Sequence, residues 1–495
     1  MRAGGSKKRN CRRGKRAFFN LTGVGICLLL LFGCTRQTDQ NETKPAAETS
    51  AVESQTEKPT EPTSETIEPF PETIGKGENE AEKQEEPEGL KIIVATDMHY
   101  LARELTDQGS EFVEMVEHGD GKVTNYIWQI VEAFTNEVIE EQPDLLLLTG
   151  DLSLDGEYRS HEEFAGYLRR IEAEGIPVVV IPGNHDINNV GASRFYQGKR
   201  VPAEPTSPEQ FCEIYGEFGY DEAISRDTES LSYVYPISDS VWGLMLDSCQ
   251  YKNGRLTGGM IDTETFGWIE RQLDKAYEAG VMILPVSHHN LLEQSKIYQD
   301  DCTIEHSEQL TELLVGWEAT LYLSGHLHVQ HYDNSDPEPD GETGIYEIVT
   351  SSLATPPCQY GILYFQDNGY FQYHTKSVDV DRWAKENGET DPNLLHFSQY
   401  RTPFLEQVFY NQAYDKLSLM RGLELTKDQI DGMCQMYAQA NCYYYWGRAV
   451  EIARELHDSQ EYKLWMDYAG TSLQAEYLDY ILEEGTRDYN YLEWP

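Results

Sequence analysis

Five short apolar runs, at 92–95, 145–148, 178–181, 281–286 and 321–323, are each followed at once by a polar block. Runs this short without alternation predict strands buried on both faces. Between them the spacing changes to that of helices. Val123, Ile127, Ile130, Val131, Phe134 and Val138 lie on one helical face, with Pro143 beyond its end. The Ser160–Glu163 pair reads as a capping box, which places His161 on an exposed first turn and Phe164, Leu168 and Ile171 toward the core. A third helix carries Phe211, Ile214, Tyr215 and Phe218, and a fourth spans about 263–279. Strands follow at 231–235, 241–246 and 345–350. A hairpin pairs 361–366 with 370–374 around Asp367-Asn368-Gly369.

The polar blocks are Asp97-Met98-His99, Gly150-Asp151, Gly183-Asn184-His185-Asp186, Ser287-His288-His289 and Gly325-His326-Leu327-His328. In open α/β sheets, ligands gather at the carboxyl ends of strands. Imidazole together with carboxylate suits borderline first-row divalent metals. Asp97 and His99 are two apart, as are His326 and His328, so on extended strands each pair would share a face. Asp151 at a strand end could bridge two ions, and Asn184 would add a neutral oxygen.

The ordered set D-x-H, G-D, G-N-H-[DE], H, G-H-x-H resembles the calcineurin-like metallophosphoesterase superfamily. The resemblance covers about residues 90–375. It implies an α/β fold, a four-layer αββα sandwich, here with a C-terminal helical extension. It also implies two divalent metal ions, manganese, iron or zinc. Asp97, His99, Asp151 and His328 would hold the first ion; Asp151, Asn184, His288 and His326 would hold the second. A hydroxide bridging them would attack phosphorus. His185 would protonate the leaving oxygen or steady the transition state, and Asp155 would be its orienting carboxylate. The fourth block departs from the common H-H-P in having Asn290, and His288 is taken as the ligand over His289.

The loop at 188–200 offers Arg194 as a phosphate contact, and the loop ending at Tyr360 offers that ring for stacking on a base. From about residue 380 the pattern is helical to the end. Thr426 to Gln429 reads as a capping box, and Tyr443 to Trp446 as the opening of a further helix. A helical extension of this kind resembles secreted bacterial phosphodiesterases of the class III cyclic-nucleotide type.

The N-terminus changes the picture of location. Its first 20 residues hold eight Lys and Arg and no acid, followed by an apolar stretch and Gly33-Cys34. This reads as a lipoprotein signal peptide over 1–34, with Cys34 lipidated; an uncleaved anchor is the alternative. The protein is then expected to be exported and lipid-anchored to the outer face of the bacterial cell membrane. Residues 35–89, rich in Glu, Thr and Pro, cannot bury a core and read as a disordered tether. The catalytic domain is placed at 90–379 and the helical domain at 380–495.

Net charge is −46, and loss of the leader makes it more negative still. Such a field repels a polynucleotide, so a small phosphoester is the expected substrate and no nucleic-acid polymer is. The six cysteines beyond Cys34 are scattered and give no metal spacing. No protein partner is indicated. Hydrolysis of small phosphodiesters, cyclic nucleotides among them, is the leading expectation. A phosphomonoesterase, a hydrolase of cell-envelope or phospholipid diesters, and a non-enzymatic surface binding protein are the alternatives.

Overall fold

The computed structural model describes residues 87–252, 254–295, 301–336, 343–420 and 424–494. The signal sequence, Cys34 and the tether as far as residue 86 lie outside the described residues.

Six strands form the first sheet, in the order Tyr491–Trp494, Phe371–Ser377, Gln359–Phe365, Leu90–Ala95, Leu145–Leu148 and Val178–Val180. The last three run parallel, with Ile92 opposite Leu145 and Leu146 opposite Val178; the first three join antiparallel. Seven strands form the second sheet, in the order His331–Asn334, Tyr346–Val349, Leu321–Ser324, Met282–Ser287, Val241–Leu246, Tyr233–Pro236 and Ser225–Arg226.

The pleat explains how the layers stack. Successive side chains on a strand point to opposite faces. In the second sheet Tyr233, Val241, Met245, Leu284, Val286, Leu321 and Leu323 share one apolar cluster with Ile92, Leu146 and Val179 of the first sheet. Their neighbours Val234, Leu244, Leu246, Ile283 and Tyr322 face the other way. There they meet Trp268, Ile269 and Leu273 of the helix Thr263–Ala279, and Leu310 and Leu314 of the helix Ser307–Gly316. The helices Ile127–Glu141 and Tyr158–Ala173 cover the first sheet with Ile130, Phe134, Phe164 and Leu168. The result is the four-layer αββα order.

Two local expectations change. The helix expected at Ser160 starts earlier, at Tyr158, with Glu157 as its cap residue and no side-chain capping bond. His161, three residues before Phe164, lies on the buried face of that helix. It is fully buried, its Nδ1 2.9 Å from the Tyr215 hydroxyl and its Nε2 3.0 Å from Ser153 Oγ. Tyr443, Tyr444 and Tyr445 end a helix rather than open one: Lys427–Tyr445 starts at the Thr426–Gln429 capping box and stops there.

The helices Phe397–Leu419, Lys427–Tyr445, Gln460–Ala469 and Leu473–Glu484 surround a core of their own around Met433, Trp465, Leu478 and Ile481. Val329 is buried in that core and Leu327 packs against it. The chain then returns to the first sheet, where Tyr491–Trp494 pairs with Phe371–Ser377. Among the described residues no helix is long and apolar enough to cross a membrane.

Candidate metal centre

The polar blocks meet where the two sheets present the ends of their central strands. The strand Leu90–Ala95 stops before Asp97, and Leu321–Ser324 stops before His326. Beyond those ends the chain is not extended. Asp97 (φ 52°), His99 (φ 42°), Asp151 (φ 50°), His326 (φ 71°) and His328 (φ 59°) all adopt left-handed backbone. The shared direction of each D-x-H or H-x-H pair therefore comes from turn geometry, not from strand alternation. Five non-glycine residues held in this sparse region at one locus are a pattern found at functional sites.

Neighbouring glycines allow this packing. A Cβ on Gly183 would lie 2.1 Å from the Asp151 nitrogen, and one on Gly325 would lie 2.1 Å from Thr96 Oγ1. Asp186, last residue of the third block, ties the loops together. It accepts from Gly183 N, Leu152 N, Ser153 N and Ser153 Oγ at 2.8–3.1 Å.

Donor atoms converge around Asp151. His99 Nε2 and His328 Nε2 are 3.0 Å apart, and His328 Nε2 lies 3.1 Å from Asp97 Oδ1. His288 Nε2 lies 3.2 Å from His326 Nδ1, 3.1 Å from Asn184 Oδ1 and 3.5 Å from Asp151 Oδ2. Asp151 Oδ2 is also 3.8 Å from His99 Nε2. With metal–nitrogen bonds of about 2.1 Å, adjacent ligands of one ion stand roughly 3.0–3.4 Å apart. The donor set fits two cations on that scale, through the groups Asp97, His99, His328 and Asp151, His288, His326. A further group joins His99, Asp151 and His185. Asp97 Oδ1 and His99 Nδ1 are buried without a hydrogen-bond partner among the described residues, a cost a carboxylate oxygen escapes by meeting a cation.

The ring tautomers follow from the other bonds. His288 donates from Nδ1 to the Thr149 carbonyl at 2.8 Å, which leaves Nε2 as its ligand atom. His326 donates from Nε2 to the Asp301 carbonyl at 2.9 Å, which leaves Nδ1. His289 has no nitrogen to offer. Its Nδ1 meets Ser248 Oγ and its Nε2 the Thr257 carbonyl, both at 2.8 Å. Burial pushes the His99 and His289 imidazoles down to about 3. Burial would also lower His288, but the Asp151 carboxylate overrides it and raises the ring to about 9.

That last shift has a measurable sign. Chelator-treated protein at pH 7 holds a proton on His288 that a cation must displace. Metal affinity is expected to rise with pH up to about 9, with close to one proton released at this site. Calorimetric titration in buffers of different ionisation enthalpy checks it; zero proton release between pH 6 and 8 would contradict the assignment.

His185 stands beside the cluster, its Nε2 4.0 Å from Asp151 Oδ2. Its Nδ1 faces the Leu154 carbonyl at 2.8 Å and Asp155 Oδ1 at 3.0 Å. Burial works against the Asp155 charge, but His185 and Arg200 hold the carboxyl below its usual range.

Two expected substrate contacts are corrected. Tyr360 is no rim residue. It is fully buried within the strand Gln359–Phe365, donates to Glu137 Oε2 at 2.8 Å and packs on Phe134. Arg194 points to the open face of the hairpin Ser193–Tyr196/Lys199–Pro202, over the Tyr196 ring. The arginine of that hairpin that reaches inward is Arg200, whose Nη2 lies 2.7 Å from Asp155 Oδ2. Sequence patterning also missed Arg255, which donates to the Asn184 carbonyl at 2.8 Å, and the pair Asp120 and Lys122. None of the three follows a buried strand. The one local signal was the Gly119-Asp120-Gly121-Lys122 turn.

Residues 90–330 match the calcineurin-like phosphoesterase family, and residues 379–488 match the C-terminal domain of cyclic nucleotide phosphodiesterase. A probable cyclic nucleotide phosphodiesterase of Synechococcus sp. is 28% identical over 193 residues, 38% of this chain and 59% of the relative, so the match spans less than two thirds of that protein. A probable glycerophosphodiester phosphodiesterase of Arcobacter nitrofigilis is 25% identical over 277 residues, 55% of this chain and 84% of the relative. Among solved structures, a dimetal phosphatase from Danio rerio aligns with a TM-score of 0.43 at 12% identity, over 59% of this chain and 96% of that one. Residues 90–330 thus form a calcineurin-like phosphoesterase domain, and residues 379–488 a C-terminal domain of the cyclic nucleotide phosphodiesterase kind.

Proposed function

We propose that this chain hydrolyses small phosphodiesters, with cyclic nucleotides as the leading substrate class. The observation that carries the reading is that two groups of ligand atoms, Asp97, His99, His328 and Asp151, His288, His326, stand side by side, with Asp151 Oδ2 3.8 Å from His99 Nε2. Asp97, His99, Asp151 and His328 would hold one cation, and Asp151, Asn184, His288 and His326 the other. The mixed imidazole and carboxylate donors suit manganese, iron or zinc. Bound cations would supply Lewis acidity to phosphoryl oxygens and make an attacking water acidic at neutral pH.

The protein's own groups do the rest. With Nδ1 engaged by Leu154 and Asp155, His185 turns Nε2 toward Asp151. From there a protonated His185 hands its Nε2 proton to the departing alkoxide. Asp155, itself held by Arg200, keeps the ring from rotating. The preference for diesters draws on the names of the relatives, and the preference for small ones on the net charge of −46.

The test is hydrolysis of bis(4-nitrophenyl) phosphate and 4-nitrophenyl phosphate by manganese-loaded protein, followed by a panel of cyclic nucleotides. Diester turnover at least about tenfold above monoester, abolished by chelator, is expected. Faster monoester turnover would replace the reading with a phosphatase, and no turnover by folded, metal-loaded protein would defeat it.

A further inference from the structure

A second charged pair lies beside the ligand cluster, in the turn after the helix Ser110–His118. Lys122 Nζ donates to Asp120 Oδ2 at 2.5 Å. The lysine side chain is only 9% exposed, whereas the Asp120 side chain is 40% exposed. The ammonium is thus the buried member of the pair and the carboxylate the more open one. Lys122 is joined to the cluster through its neighbour: Val123 N donates to the Ala354 carbonyl, and Ala354 N to the Asp97 carbonyl at 3.3 Å; its charge helps burial lower the His99 ring. In the other direction burial works against the ammonium, but Asp120, and behind it Asp155 and Asp151, keep it charged.

An ammonium has three protons to donate. Among the described residues, Lys122 Nζ has Asp120 as its hydrogen-bond partner. Among the described residues that leaves two protons at a site where the reacting group is an anion. A pair that served folding alone would gain little from burying a lysine beside a ligand cluster, since desolvation consumes most of what such a pair returns.

The turn is held from behind by the helical domain. Gly121, at φ 94°, lets Leu405 approach so closely that a Cβ there would lie 2.5 Å from Leu405 Cδ1. Gln412 Nε2 donates to the Gly119 carbonyl at 3.2 Å. On the catalytic side Val123 N donates to the Ala354 carbonyl at 2.8 Å. Lys122 thus sits on a braced turn, which is what positioning a charge requires.

We propose that Lys122 is a substrate-binding residue that donates to a non-bridging phosphoryl oxygen, with Asp120 and the helix Phe397–Leu419 as its positioning elements. This rests on reading the centre as a phosphoester hydrolase.

The test uses the full, manganese-loaded chain as wild type, Lys122→Met, Lys122→Gln and Lys122→Arg. Metal content, thermal midpoint, the Kd for inorganic phosphate and steady-state constants with bis(4-nitrophenyl) phosphate are measured. Loss of a charge-assisted bond predicts that Met and Gln weaken phosphate binding and raise KM by about tenfold or more, with metal content unchanged. Arg should return both to within a few-fold of wild type. Phosphate affinity within twofold of wild type in a folded, metal-loaded Met or Gln variant would overturn the proposal. So would metal loss in both variants, because Lys122 would then be serving the ligands. Lys122-dependent phosphate binding in a wild type that hydrolyses neither ester would sink the hydrolase reading and leave Lys122 as an anion-binding residue. Unchanged variants beside an active wild type would sink only the role of Lys122.

Discussion

Asp151→Ala is expected to abolish ester hydrolysis, by more than about a thousandfold, and to leave the protein unable to retain its cations. Losing even an outer partner of a metal ligand costs about 10–100-fold, and Asp151 is placed to serve both ions. Its Oδ2 lies 3.5 Å from His288 Nε2 and 3.8 Å from His99 Nε2, one histidine from each ligand group. Its Oδ1 accepts from His185 N at 2.7 Å, so the same side chain fixes the backbone of the proposed acid. Alanine removes the shared ligand and frees that N–H at once. Asp151→Asn separates the two effects. It keeps an oxygen for His185 N, removes the charge, and is expected to lose metal while melting close to wild type. Elemental analysis beside kcat decides the matter. A full metal complement with near-normal turnover in Asp151→Ala would dismantle the shared-ligand reading.

The centre was legible because each of its polar blocks sits at or within three residues of the end of a largely buried strand. A strand such as Leu145–Leu148 announces itself by apolar content alone, and topology then places Gly150 and Asp151 at the sheet's end. The parts that were not legible depend on backbone that no apolar pattern encodes. The left-handed conformations of Asp97, His99, His326 and His328 place the ligands, yet their spacing suggested ordinary strand alternation. Arg200 and Arg194 are equivalent in sequence terms. Only the hairpin register, with Arg200 opposite Phe195 and Arg194 opposite Val201, assigns one inward and the other outward. His161 was misplaced because a capping box was read at Ser160 where none forms, while its spacing of three from Phe164 puts it on the buried face. Tyr360 looked like a loop residue because the strand Gln359–Phe365 begins two residues before the run that signalled it.

A chain cut after residue 379 is expected to fail to fold stably, although the sequence suggests a clean boundary there between a sheet domain and a helical one. Three features oppose the cut. First, Tyr491–Trp494 completes the first sheet beside Phe371–Ser377, so truncation bares the backbone edge of that strand and invites aggregation. Second, the ligand loop is shared: His326 and His328 join the ligand cluster while Leu327 and Val329 pack on the helical core. Gln330 N donates to the Tyr445 carbonyl at 3.1 Å, and Tyr489 stacks on His331 with ring centres 4.1 Å apart. Third, Trp446 Nε1 donates to the Pro356 carbonyl at 3.1 Å, and Arg401 Nη1 to the Pro357 carbonyl at 2.6 Å, bracing the loop beyond the last ligands. Removing these supports takes away apolar burial and strands polar groups together, each loss worth about 1–3 kcal/mol against a total stability of about 5–15. The truncated chain, purified beside the full one, is therefore expected to be largely insoluble, or to melt at least about 10 °C lower with its metal content reduced. Wild-type melting, metal content and turnover in residues 90–379 would mean instead that the helical domain is an independent module and that the ligand loop needs no support from it.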